Sequence, residues 1–135
     1  MISDSAPETP NATDALLRLF LTRAPTSLAL FDRDMRYLLY TERWVETLPV
    51  GTKPLSGRQH TEVLPGLLTS WESAHQRALQ GESTNSDAES YQHPDGSHRI
   101  LTWELHPWNS ADGEVGGSLV TFEEITHQLH IESKL

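Results

Sequence analysis

Apolar residues of this chain fall into a short run of helical spacing, two strand-length runs, a broken middle and a long stretch that alternates. In residues 13–24, "TDALLRLFLTRA", Leu16, Leu17, Phe20 and Leu21 recur at helical intervals, Thr13 supplies an N-cap, Asp14 sits in the first turn and Pro25 ends the run. Residues 27–31 and 35–40 are apolar runs of strand length joined by Asp32-Arg33-Asp34, which predicts a β-hairpin. "ERWVETL" puts Trp44, Val45 and Leu48 on one helical face before Pro49-Val50-Gly51.

Pro54, Gly57, Pro65 and Gly66 leave room only for single helical turns in residues 53–66. Residues 67–79 then carry Leu67, Leu68, Trp71, Ala74 or His75, Ala78 and Leu79 at helical spacing, with Gly81 as the stop. Beyond it the period drops to two. Residues 85–93 lead into the turn Pro94-Asp95-Gly96-Ser97, Arg99, Leu101, Trp103 and Leu105 share one face of the next strand, and Asp112-Gly113 turns the chain into a last strand at 117–124. Ile125, Leu129 and Ile131 mark the start of an exit helix over 127–135. The order implies an α+β domain over residues 13–126: a five-stranded antiparallel sheet, helices covering one face and an N-terminal cap helix.

Composition narrows the chemistry. At 135 residues the chain is one domain with room for a core, and residues 1–12, rich in Pro, Ser, Asp and Glu, read as a disordered leader. With 19 acidic against 10 basic residues the net charge is −9 and no basic stripe exists, which argues against nucleic acid as a partner. The absence of cysteine removes disulfides, thiolate nucleophiles and Cys-ligated metals, and suits a cytoplasmic setting. No run of about 18 apolar residues suggests a membrane span.

The Asp-Gly pairs at 95–96 and 112–113 read as turns and not as catalytic carboxylates. His127 with His130, and His93 with His98, have spacings that could share an ion. No carboxylate-backed set accompanies them, so the histidines read as solvated and no metal site is assigned. "GGSLV" is not a nucleophile elbow and no Gly-rich phosphate loop occurs, so no catalytic residue is assigned. One enzymatic alternative stays open: a small isomerase or dehydratase of α+β fold using His106 with Glu104 or Glu123.

Five strings, in this order, carry a family resemblance: "SLALFDRDMRYLLY", "LSGRQHTEVLPGL", "WESAHQRALQGES", "HPDGSHRILTWELHPW" and "ADGEVGGSLVTFEEIT". Together they resemble the PAS domain family of sensory modules over roughly residues 16–126. Thr41 stands where that family often has Asn, and Glu124-Ile125-Thr126 where it closes with Asp-Ile-Thr.

The resemblance implies a non-catalytic sensor or interaction domain of a bacterial signalling protein such as a histidine kinase or diguanylate cyclase. A ligand cavity between sheet and helices would be lined by Phe31, Tyr40, Trp71, His75, Trp103 and Phe122, and Glu124, Ile125 and Thr126 would relay the signal. His75 occupies the helix from which haem-binding members ligate iron, with a hydrogen-bonded boundary histidine as the alternative. Flavin photochemistry through a cysteinyl adduct is excluded because the chain has no cysteine. A homodimer is expected through Leu16, Leu17, Phe20 and Leu21, whose apolar surface is more than the short helix can cover alone; it would pack on the outer sheet face or on a second subunit. A pure protein-interaction module without a ligand is the third reading.

Overall fold

The computed structural model describes residues 12–125. The predicted leader apart from Ala12, the relay candidate Thr126 and the predicted exit helix over 127–135 lie outside these residues. The elements are α1 (Ala12–Arg23), β1 (Ser27–Asp32), β2 (Tyr37–Tyr40), α2 (Glu42–Thr47), α3 (His60–Val63), α4 (Ser70–Leu79), β3 (Thr84–Gln92), β4 (His98–Asn109) and β5 (Val115–Glu124). All strands pair antiparallel in the order β2-β1-β5-β4-β3, so the first and last strands in sequence order, β1 and β5, meet in the middle of the sheet.

The alternation in the sequence sets the two faces. Ala29 and Phe31 of β1, Leu101, Trp103 and Leu105 of β4, and Val120 and Phe122 of β5 are buried against α2, α3 and α4. Each large apolar side chain buried in this way contributes about 1.5–3 kcal/mol. Thr102, Glu104, His106 and Thr121 occupy the opposite face.

Helix α1 already includes Ala12 and Thr13, so Thr13 is not its N-cap, and β5 begins at Val115, before the predicted 117; two further starts differ for reasons of backbone conformation. β2 starts at Tyr37 because Met35 has φ 59° and the Asp32 carboxylate accepts from the Asp34 and Arg36 amides, so the turn consumes the first residues of the predicted strand. Helix α4 starts at Ser70 because Leu68 has φ 53°, and it ends where Gly81, at φ 90°, sends its amide back to Ala78.

Helix α1 carries the expected residues on the expected period, but none of them is buried. Leu16 is 64% exposed and Phe20 49%, with Leu17 and Leu19 also exposed. Its main neighbour is α2, so within one chain it does not cover the outer sheet face.

Candidate functional site

The site is built around His60, which the sequence reading had placed among the solvated histidines. It is 0% exposed. Its backbone amide donates to the Met35 carbonyl at 3.0 Å, and the Gln59 side chain donates to the Asp34 carbonyl at 3.1 Å. Isolated bridges Arg36–Gln59 and Tyr37–Ser56 fasten the same segment to the start of β2. The single turn α3 is therefore held against the first hairpin, and the face that carries Val63 and Leu64 turns His60 inward.

Neither ring nitrogen of His60 has a hydrogen-bond partner among the described residues, and neither does Trp71 Nε1 beside it. The two rings lie 5.5 Å apart at 39°, and Phe31 meets His60 edge-on at 6.2 Å. Burial pushes the imidazole pKa of His60 down to about 4; neighbouring His75 adds to the shift, and the Leu68 backbone, which lacks full hydrogen-bonding geometry, opposes it. Buried polar groups are nearly always paired, and leaving one unpaired costs about 1–3 kcal/mol, so three such atoms on two neighbouring rings require an explanation.

Four of the six cavity candidates, Phe31, Trp71, Trp103 and Phe122, form one aromatic cluster. Trp71 packs on Phe122 at 6.0 Å and on Trp103 at 6.3 Å. Trp44, which joins Trp71 at 5.4 Å and Phe122 at 5.1 Å, and Tyr37, 4.6 Å from Phe31, complete it. Trp103 Nε1 is satisfied by Glu89, which also accepts from Ser70 at the start of α4; an irregularity between Ser86 and Glu89 adjusts the register of β3 at this point. Tyr40 sits at the edge of this cluster, meeting Tyr37 edge-on at 5.9 Å, and its hydroxyl accepts from the Leu55 amide.

His75 is buried and fully engaged. Its Nε2 lies 2.9 Å from the Arg33 carbonyl and its Nδ1 2.7 Å from the Ser118 hydroxyl. A carbonyl only accepts, so Nε2 carries the proton and Nδ1 receives the one from Ser118. No lone pair remains on Nε2 for iron, and the geometry fits the hydrogen-bonded alternative and not haem ligation. Thr41, at the position where Asn was expected, uses its hydroxyl to bridge the Leu28 amide and the Thr26 carbonyl, facing β1 and not the aromatic cluster.

His60 and His75 form the floor of a cleft of about 290 Å³ between the first hairpin, α3 and α4. Met35, Gln59, Glu72 and Gln76 are among its walls. At the far end of the sheet, Arg99 joins Asp95 and Glu124, and the Ile125 amide donates to Ile100 at 2.8 Å. Ser97, through its hydroxyl and amide, and then Arg99 hold the Asp95 carboxyl well below the usual carboxylate range, which completes its assignment as a turn residue.

The residues of the enzymatic alternative lie elsewhere. His106 and Glu104 are 2.9 Å apart on the exposed outer face, His106 also bonding Ser83, and Glu123 is exposed. No group of three His, Asp or Glu side chains among the described residues converges on a metal-sized site.

A family model described as PAS fold matches residues 21–129. The chain belongs to the PAS family. A search of curated proteins gave no match. Among solved structures, a Vibrio cholerae VqmA dimer superposes with TM-score 0.71 at 18% identity over 87% of this chain and 53% of that one. VqmA bound to DPO gives 0.67 at 17% identity over 82% and 56%. The PAS domain of Bordetella pertussis BvgS gives 0.67 at 18% identity over 96% and 97%. This PAS domain thus spans little more than half of the VqmA chains and nearly all of the BvgS domain. At these identities the likeness establishes the five-stranded fold alone.

The residues central to the site that the sequence reading did not assign to it are His60, Tyr37 and Trp44. For His60 a signal was present: His60, Val63 and Leu64 stand at helical i, i+3, i+4 spacing, so a turn that buries Val63 and Leu64 buries His60 as well.

Proposed function

We propose that this PAS domain is a non-catalytic small-molecule sensor whose ligand enters the cleft over His60 and reaches the aromatic layer between sheet and helices. The observation that carries the reading is the fully buried imidazole with two unpaired nitrogens at the floor of that cleft. Ligand binding by VqmA, whose PAS-like portion shares this fold, supports it. Native mass spectrometry of the purified chain, combined with its absorption spectrum, is expected to show a bound organic molecule without a haem or flavin band; a bare polypeptide mass after exposure to cell extract would count against the reading.

Relay runs through β5. His75 on α4 holds Ser118, and β5 continues from there to Glu124 and Ile125 and so to Thr126 and whatever follows. A ligand that moved α3 or α4 would pull on the central strand of the sheet, and the exit segment would pass the change to an output domain such as a histidine kinase or diguanylate cyclase.

Dimerisation belongs to the same proposal. Leu16, Leu17, Leu19 and Phe20 of α1 are exposed, as is Leu38 on β2, and a second copy offers the matching apolar surface. The wild-type chain is expected to sediment as a dimer, and L17A/F20A to raise the dimer dissociation constant about ten- to hundred-fold. A monomer at high concentration would remove this part.

A further inference from the structure

We infer that the single turn α3 is an acid-operated latch: protonation of His60 expels its imidazole from the core, and the turn opens before the sheet does. The latch works without a ligand and is independent of the proposed sensor site.

The closed position of His60 is held by backbone and not by the ring. Its amide donates to the Met35 carbonyl at 3.0 Å, and the Tyr37 amide and carbonyl bond the Arg58 carbonyl and the Gly57 amide, while neither ring nitrogen has a partner among the described residues. The two non-glycine residues at positive φ among the described residues are both neighbours of His60. Met35, at 59°, supplies the carbonyl that takes the His60 amide; Leu68, at 53°, has its backbone facing the ring short of full hydrogen-bonding geometry. Side chains such as Met and Leu disfavour this region, so the closed turn is strained at both contacts and its release lets both relax.

A proton selects the open state. Water solvates an imidazolium, whereas the closed site surrounds it with the rings of Phe31 and Trp71. Charged groups on the packed elements are engaged elsewhere. On the hairpin, Asp32 accepts from the Asp34 and Arg36 amides, Arg33 donates to the Val115 carbonyl, Asp34 pairs with Arg36, and burial keeps the Tyr37 phenol neutral. On α3, Glu62 pairs with Arg58. On α4, His75 has both nitrogens bonded, and as the titratable neighbour that bears on the closed ring it opposes the proton. Glu72 of α4 lines the cleft, so an imidazolium that moves outward meets a carboxylate there.

Closed His60 takes its proton near pH 4 and a freed one near 6.5, so the ratio of open to closed turn rises about twenty-fold from pH 7 to pH 5 and levels off near pH 4. Opening is felt in the sheet, because the Leu68 carbonyl accepts the Trp71 amide at the start of α4, and α4 holds Ser118 of β5 through His75.

The test is amide hydrogen exchange of the full chain, followed by NMR at pH 7 and pH 5 and corrected for intrinsic exchange rates. The amides of His60 and Leu64, bonded to the Met35 and His60 carbonyls, are expected to lose about twenty-fold of their protection at pH 5 and to be about ten-fold or more less protected there than those of Val120 and Phe122 in β5. His60→Gln, which stays polar but does not titrate, is expected to keep the Leu64 amide within about three-fold of one protection value at both pH values. Should that variant not fold, the comparison of α3 with β5 in the wild-type chain decides. Equal protection of the two elements at pH 5 means that acid unfolds the sheet as a whole, and overturns the latch. Protection of α3 that is the same at pH 7 and pH 5 overturns it as well, as does an acid response that survives in His60→Gln.

Discussion

Gly117→Ala is expected to abolish the native sheet. Gly117 lies on β5 between its partners Asp32 on β1 and Trp108 on β4, where the backbone of β1 crosses so closely that a Cβ would sit 2.7 Å from the Asp32 carbonyl carbon and 2.8 Å from the Phe31 carbonyl carbon, nearer still to the Phe31 oxygen. Those atoms belong to the backbone of the central strand pair and cannot swing aside. The expected loss exceeds about 4 kcal/mol, enough to unfold a domain of ordinary stability. Gly116→Ala is the informative control. The atoms nearest its Cβ would all belong to the Trp108 ring, with Cζ2 at 2.8 Å, and that ring can leave by giving up its Nε1 bond to the Phe31 carbonyl. A loss of about 1–3 kcal/mol is expected. Chemical denaturation with circular dichroism separates the two, and Trp108→Ala should relieve Gly116→Ala without rescuing Gly117→Ala.

Acid should weaken the fold well before its carboxylates titrate. His60 titrates at about 6.5 when unfolded and about 4 when folded, so above pH 6.5 both states are neutral and stability does not change with pH through this group. As pH falls below 6.5 the unfolded chain takes up a proton that the folded chain refuses, and stability declines until the folded pKa near 4 is reached. A shift of this size corresponds to about 3 kcal/mol. Asp95 and Asp112, both held below their ordinary 3.8, contribute stability that is lost only below that value, so their window lies under that of His60. Thermal melts from pH 7 to 4 should show the decline in the wild-type chain and a markedly flatter profile in His60→Phe, which is also expected to melt higher at pH 7 because an unpaired buried polar ring has been replaced by an apolar one. Equal slopes in the two proteins would contradict the assignment of His60.

Much of the architecture was legible beforehand because alternation and helical spacing are local. The burial of Leu101, Trp103, Leu105 and Phe122, the α2 and α4 helices and both Asp-Gly turns followed from period and turn chemistry. The errors fell where backbone conformation departed from what the side chains suggested: Met35 and Leu68 adopt positive φ, which few side chains favour and which no periodicity announces. His75 was correctly seen on the inner helix, yet its role depends on the Arg33 carbonyl and Ser118, both more than 40 residues away in the chain.

The sequence by itself therefore determined the strands, the helices, the apolar face each presents and the family to which the chain belongs, since all of these rest on neighbours within a few residues. Tertiary structure alone decided which histidine matters. His60 becomes the centre of the proposed site only because the Met35 carbonyl and the bridges of β2 pin its segment beside Trp71 and Phe31, where burial removes water from the ring and no group among the described residues takes its place in full hydrogen-bonding geometry.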